Sequence, residues 1–229
     1  MAAKNNNRTK TTTKSTTQKT RQQPEKIIGL IALIVIACAG SAKVFGCSQI
    51  DTDTRATISF LDVGQGDSIL IQAEEKTVLI DGGERDQGSV VLDDLKQYGV
   101  TTIDYLIASH PHSDHIGGLI DVLDTAATTS DLTVSAVILP EIPEDDVPTT
   151  RTYEAFLDGI DDNHITPTFL SEQKTLTLGE HTTLQLIPPP AENSYSSLND
   201  YSIAAYLDCG GKTFLFTGRS EEHTSELQS

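Results

Sequence analysis

Cysteine is scarce, with three residues in 229, at Cys38, Cys47 and Cys209. Cys38 lies inside an apolar run, Cys47 just beyond it and Cys209 in a predicted strand, so no disulfide framework is available and packing must hold the core. Basic charge is short where a polyanion would need it. Residues 47–229 hold 8 Lys and Arg against 32 Asp and Glu, or 8 − 32 = −24, with no basic stripe. Such a body repels phosphate chains, which argues against tight polynucleotide binding. No internal repeat is visible. Histidine is rare too, 6 in the whole chain, and that rarity gives weight to where the histidines fall.

The N-terminal part is a different object. Residues 1–26 carry seven basic side chains against Glu25 alone, 7 − 1 = +6, and almost no apolar ones. They are expected to form a disordered, basic, cytoplasmic tail. Ile27 to Phe45, IIGLIALIVIACAGSAKVF, runs 19 residues with one charge, Lys43. A bilayer core takes about 20 helical residues, so residues 27–46 are expected to be a single membrane-spanning anchor. A cleaved signal peptide is the rival reading, and a lipoprotein form cut before Cys47 is another. All three place the acidic body outside the cytoplasm, because the Lys-rich flank stays inside. Residues 47–55 read as a linker.

From Ala56 the pattern is ordered. ATISFLD, SILIQ and KTVLID read as strands separated by turns at Gly64-Gln65-Gly66 and Ala73-Glu74-Glu75. GSVVLDDLKQYGV puts Val91, Leu92, Leu95 and Tyr98 on one helical face and stops at Gly99. IDYLIAS is short enough for a buried strand; HIGGLIDVLD and RTYEAFLDGI are helical, and VSAVILP is a further strand before the acidic loop PEIPEDDVPTT. ITPTFL, KTLTL, TTLQLIPPP, SIAAYLDCG and KTFLFTG follow as strands. The order implies mixed α/β architecture with stacked sheets and outer helices.

The dense stretch is ASHPHSDHIGG, residues 108–118, with His110, His112, Asp114 and His115 inside six positions after the IDYLIAS strand. Ligands on a loop held by a rigid strand suit a metal centre. His110 and His112 alternate across Pro111 and can converge on one ion. Asp114 and His115, after a tight turn through Ser113, can face a neighbouring one. Imidazole and carboxylate are ligands for zinc or a similar first-row dication, and manganese is also admitted. Asp114 can both ligate and orient an attacking water, a catalytic role. His164 and His181 are read as surface or turn residues.

H-x-H-x-D-H after an apolar strand resembles the signature of the metallo-β-lactamase-fold hydrolases. FLDVGQGDSILIQ (60–72), LIDGG (79–83), IDYLIASHPHSDHIGGL (103–119) and TFLFTG (213–218) resemble the subgroup related to the extracellular domain of ComEC-type competence proteins. The resemblance covers residues 56–218. It implies an αββα sandwich with two divalent metal ions at one edge, and makes Asp81 the acid that braces the histidine loop. Water activated by such metals makes hydrolysis the expected chemistry, and together with the anchor over residues 27–46 this gives a metal-dependent hydrolase in a bacterial membrane with its C-terminal domain outside. The expected substrate is a phosphodiester or nucleic acid. A β-lactam or a cell-envelope ester is the alternative, as is a non-catalytic accessory of DNA uptake. No protein partner can be inferred.

The chain departs from the family pattern at two stations. Where the wider fold has a further histidine, SLNDYSIAAYL offers Asn199 and Ser202, as in the competence-type subgroup, and both are candidate substrate contacts. Where a bridging aspartate should follow FLFTG, the chain reads Thr217-Gly218-Arg219. A guanidinium cannot ligate a cation. The tail RSEEHTSELQS, residues 219–229, has no apolar periodicity and is what a widely used short-read sequencing adapter encodes when translated. It is therefore expected to be non-native, and His223 is not credited as a ligand. The sandwich is then expected to be incomplete at the C-terminus, and the literal chain to be poorly folded or inactive, while its parent is an enzyme.

Overall fold

The computed structural model describes residues 56–190 and 195–219. The tail, membrane segment and linker expected over residues 1–55, and residues 220–229, lie outside the described residues. Among those described, no helix is long and apolar enough to cross a membrane.

Among the described residues twelve strands form, β1 Ala56–Phe60, β2 Ile69–Ala73, β3 Thr77–Ile80, β4 Thr102–Ile103, β5 Tyr105–Ile107, β6 Thr133–Val134, β7 Val137–Pro140, β8 Thr168–Leu170, β9 Lys174–Thr177, β10 Thr182–Ile187, β11 Ala204–Cys209 and β12 Lys212–Phe216. Three α-helices intervene, α1 Gly88–Gln97, α2 Ser113–Thr128 and α3 Arg151–Asp162. α1 ends where Gly99 takes a positive φ of 71°, at the glycine expected to stop it. α3 starts at Thr150, whose side chain accepts the Tyr153 N–H.

The first sheet runs β1-β2-β3-β5-β7-β8. β1, β2 and β3 pair antiparallel, then β3, β5, β7 and β8 pair parallel. The three parallel steps advance in one direction, and each carries one helix. Right-handed crossovers therefore put α1, α2 and α3 on the same face. Period-two alternation divides the side chains. Leu70, Leu79, Leu106, Val137 and Leu139 join Val91, Leu95, Leu119, Leu123 and Phe156 in a core beneath the helices. Ile69, Ile71, Val78, Ile80, Ile107 and Ile138 join the inner face of the second sheet, Leu176, Leu184, Leu186, Ala205, Leu207 and Phe216, in another.

That second sheet, β12-β11-β10-β9, is antiparallel throughout. Among the described residues, nothing packs a further layer on its other face. Register aligns Gln185 with Tyr206 and Tyr206 with Leu215 on it, and Leu215 is 60% exposed. The expected four-layer sandwich is thus seen as three layers, helices on sheet on sheet, among the described residues. Nothing described there forms the outer helical layer that would bury Tyr206, Leu215 and Ile187.

Candidate metal centre

β3 and β5 are neighbouring parallel strands, and the site grows from their carboxyl ends, the usual place for a site in such sheets. β3 delivers Asp81 and β5 delivers Ala108-Ser109-His110. Asp81 adopts a left-handed φ of 58°, which Asp tolerates better than most side chains. The bend lets Gly82 and Gly83 run against α2: the Gly82 N–H donates to the His115 carbonyl at 2.7 Å and the Gly118 N–H donates to Gly83 at 3.0 Å. A Cβ on Gly118 would stand 2.0 Å from the Gly82 oxygen, and one on Gly117 2.4 Å from the Arg85 nitrogen. The paired glycines of LIDGG and HIGGL are therefore a backbone-to-backbone contact that seats the histidine helix.

The cluster itself is not a loop after a tight turn, as its sequence suggested. His112 is the N-cap of α2, and Ser113, Asp114 and His115 form its first turn. Asp114 there sits at the positive end of the helix dipole.

Asp81 organises the centre. It is 1% exposed and accepts the Ser109 N–H at 2.7 Å, the Ser109 hydroxyl at 2.6 Å and the His115 Nδ1–H at 2.8 Å. The Ser109 hydroxyl, with its proton committed to Asp81, can only accept from His110 Nδ1, 3.0 Å away. Both buried imidazoles are thereby set with Nδ1 protonated and Nε2 presented as a lone pair. Burial raises the Asp81 carboxyl, partly offset by its hydrogen bonds from His115 and Ser109. Burial alone would lower His115, but the Asp81 acceptor and charge outweigh it and raise it. His110, wholly buried, is held down at about 2, first by desolvation and then by repulsion between its own charged form and the neighbouring His115, His112 and Arg219 side chains.

His110 Nε2 faces His112 Nδ1 at 3.1 Å. Two nitrogens about 2.0–2.1 Å from one tetrahedral zinc lie roughly 3.3 Å apart. This half of the centre fits a dication. The other half does not fit one as it stands. The Asp114 Oδ2 and His115 Nε2 atoms are 3.9 Å apart, and the Arg219 guanidinium spans them. Its NH2 donates to Asp114 Oδ2 at 2.8 Å and its Nε–H to His115 Nε2 at 3.3 Å.

A second acidic grouping, Asp67, Asp81 and His115, also brings its ligand atoms within 4.8 Å of one another. Two of its members already hydrogen-bond each other, through His115 Nδ1 rather than the Nε2 that faces Asp114. We read it as the brace of the centre.

Ser202 is buried, and its hydroxyl accepts the Arg219 N–H at 3.4 Å. A Cβ on Gly218 would lie 3.2 Å from the Ser109 hydroxyl and 3.3 Å from that of Ser202. The next residue, Ile203, donates its N–H to the Ser109 carbonyl at 2.9 Å, so the start of β11 is tied to the histidine segment. Asn199 lies in the Leu198–Tyr201 turn, its carbonyl accepting the Ser202 N–H. His164 and His181 are both exposed, the first just beyond α3 and the second just before β10.

Sequence reasoning missed Ser109, Gly66, and Arg219 as an occupant of the centre. The signal for Gly66 was its place in GQGD: φ is 95°, and a Cβ there would meet the Asp114 carbonyl oxygen at 1.7 Å.

Comparison with solved structures returns metallo-beta-lactamases. The enzyme from Cronobacter sakazakii with a HARLDQ motif is 16% identical, over 70% of this chain and 58% of its own, with a TM-score of 0.47. GOB-18 from Elizabethkingia meningoseptica is 18% identical over 70% and 57%, TM-score 0.46. BJP-1, a subclass B3 enzyme of Bradyrhizobium japonicum, is 14% identical over 71% and 59%, TM-score 0.47. The chain thus spans less than two thirds of the length of these structures. The metallo-beta-lactamase superfamily (Lactamase_B) matches residues 61–222, well over half of the chain. With its histidine centre at the ends of β3 and β5, the chain belongs to the metallo-beta-lactamase superfamily.

Proposed function

We propose that the chain is built as a metal-dependent hydrolase of phosphodiesters, anchored by residues 27–46 and acting outside the cytoplasm. The observation that carries the hydrolase reading is the convergence of His110 Nε2 and His112 Nδ1 at 3.1 Å, with Asp81 and Ser109 setting the His110 proton. The DVGQGD segment and the Asn199/Ser202 station, both resembling the competence-type subgroup, favour a phosphodiester over a β-lactam. The −24 balance of residues 47–229 (8 − 32) favours a small phosphodiester over a long polynucleotide.

A dication, zinc or manganese, held by His110 and His112 would lower the pKa of a water toward neutrality and would polarise the scissile oxygen. The chain's own residues do the rest. His110 and His112 are the holding imidazoles, and burial keeps His110 neutral throughout the physiological range. Asp81 orients His115 directly and His110 through Ser109. Asp114, once free of Arg219, is the carboxylate at the mouth that can take the proton of the nucleophile.

The test is hydrolysis of bis(p-nitrophenyl) phosphate and of nitrocefin, with and without chelator, by the full chain and by Arg219→Asp. Chelator-sensitive phosphodiester hydrolysis, lost in His110→Ala, supports the reading; faster nitrocefin turnover moves the substrate to β-lactams. The grip of Arg219 on Asp114 favours one second reading, a binding module without turnover. Silence of both chains on every substrate supports it.

A further inference from the structure

We propose that Arg219 is a tethered cation occupying the Asp114/His115 half of the centre, so that the chain as it stands binds one metal ion firmly, at His110 and His112, and a second only weakly. The proposal rests on the metal-centre reading but not on any activity. Three observations converge on it. First, the guanidinium occupies both groups that this half of the cluster offers an ion, Asp114 Oδ2 at 2.8 Å and His115 Nε2 at 3.3 Å. Second, its backbone is fixed. The Arg219 N–H donates to the buried Ser202 hydroxyl, and the preceding Gly218 has a left-handed φ of 56° and sits against Ser109 and Ser202. In the chain as it stands, the side chain thus reaches from the end of β12 into the cluster on a backbone that is held in place. Third, Asp81 holds His115 Nδ1 at 2.8 Å, so in the neutral ring it is Nε2 that is left to accept from whichever cation arrives.

The physical consequence is competition. A guanidinium and a dication cannot share one carboxylate oxygen and one imidazole nitrogen, and their like charges repel at that separation. Metal entry requires Arg219 to leave Asp114 for solvent. Its side chain is 39% exposed, so it has a way out, and the cost of leaving is charged to the second ion's affinity.

The experiment counts ions. The full chain, Arg219→Ala and Arg219→Asp are stripped with chelator, equilibrated with a zinc series and assayed for bound zinc per chain by equilibrium dialysis, with circular dichroism reporting the fold. The proposal expects one firmly bound ion in the parent chain. In Arg219→Ala a second ion should bind at least tenfold more tightly than in the parent, because Asp114 is freed. It should bind more tightly still in Arg219→Asp, where a carboxylate is added. Two ions of similar affinity in the parent overturn the proposal. So does a folded Arg219→Ala whose second-ion affinity equals the parent's, since the arginine would then be only an absent ligand. If both variants unfold, the parent's count decides alone: one firmly bound ion supports, two of similar affinity overturn. No zinc in any of the three sinks the metal-centre reading itself, and this proposal with it.

Discussion

Replacing Asp81 should do more damage than replacing any single ligand, and the size can be worked out from its surroundings. The carboxylate is buried and accepts three hydrogen bonds, two from Ser109 and one from His115. Asp81→Ala leaves three buried donors without an acceptor, each costing roughly 1–3 kcal/mol. It also asks alanine to hold a left-handed φ of 58°, for about 1 kcal/mol more. Relaxation and entry of water recover part of this, leaving an expected loss of about 4–6 kcal/mol. A domain of this size has about 5–15 kcal/mol in total, so the variant should sit near its unfolding threshold. Asp81→Asn keeps the volume and tolerates the backbone, but turns an NH2 toward donors. The expected cost is about 1–3 kcal/mol, with His115 moving its proton to Nε2 and losing its lone pair toward Asp114. The assay is urea unfolding, reading the midpoint at constant slope, with Ser109→Ala and the double variant closing a cycle. The Ser109 and Asp81 losses should fall short of additivity by more than about 1 kcal/mol. A loss below about 1 kcal/mol in Asp81→Ala, or an additive cycle, would refute the view that Asp81 organises the centre.

Other outcomes follow from the same geometry. Gly66→Ala places a Cβ against the Asp114 carbonyl and should cost about 2 kcal/mol or more and weaken zinc binding; unaltered zinc affinity would show that the GQGD turn does not support the centre. In chelator, stability should fall as pH drops below about 6.5, because the unfolded chain takes up a proton that His110, held at about 2, refuses. The slope approaches roughly 1.4 kcal/mol per pH unit, about 2 kcal/mol between pH 6.5 and 5. His115 does not cancel this: its pKa is raised in the fold, so its contribution is complete below about 6.5 and fades only as pH rises through the raised value. Asp81, raised in the fold by burial, takes up its proton in the folded state first and opposes the fall, so the deciding comparison is with His110→Asn: an unchanged slope there contradicts the assignment. Phe156→Ala, wholly buried under the first sheet, should cost about 3–5 kcal/mol in the same unfolding assay. Leu215→Ser, on the face of the second sheet that no described residue covers, should change stability by less than about 0.5 kcal/mol; a loss above about 1.5 kcal/mol would mean that something covers that face.

Much of this was legible in the residues. Alternating apolar positions in SILIQ, KTVLID and TTLQLI mark strands buried on one or both faces, and the spacing of Val91, Leu92 and Leu95 marks α1, because local periodicity records which side meets the core. The density of His110, His112, Asp114 and His115 marked the centre for the same local reason. What periodicity could not carry is anything that depends on distant segments meeting. Asp81 and His115 are 34 positions apart and Arg219 and Asp114 are 105. Gly66 and Gly117 look like ordinary turn and helix glycines until the backbone of another segment is found where a Cβ would go.

The sequence by itself determined most element types, the stacking of sheets beneath outer helices and the crowding of His110, His112, Asp114 and His115, since these follow from hydrophobic period and side-chain chemistry along one stretch of chain. Only the tertiary structure decided which nitrogen of each histidine faces inward, and that a guanidinium lies between Asp114 and His115. Those depend on hydrogen bonds and like-charge exclusion over a few ångströms, between groups that the chain order leaves far apart.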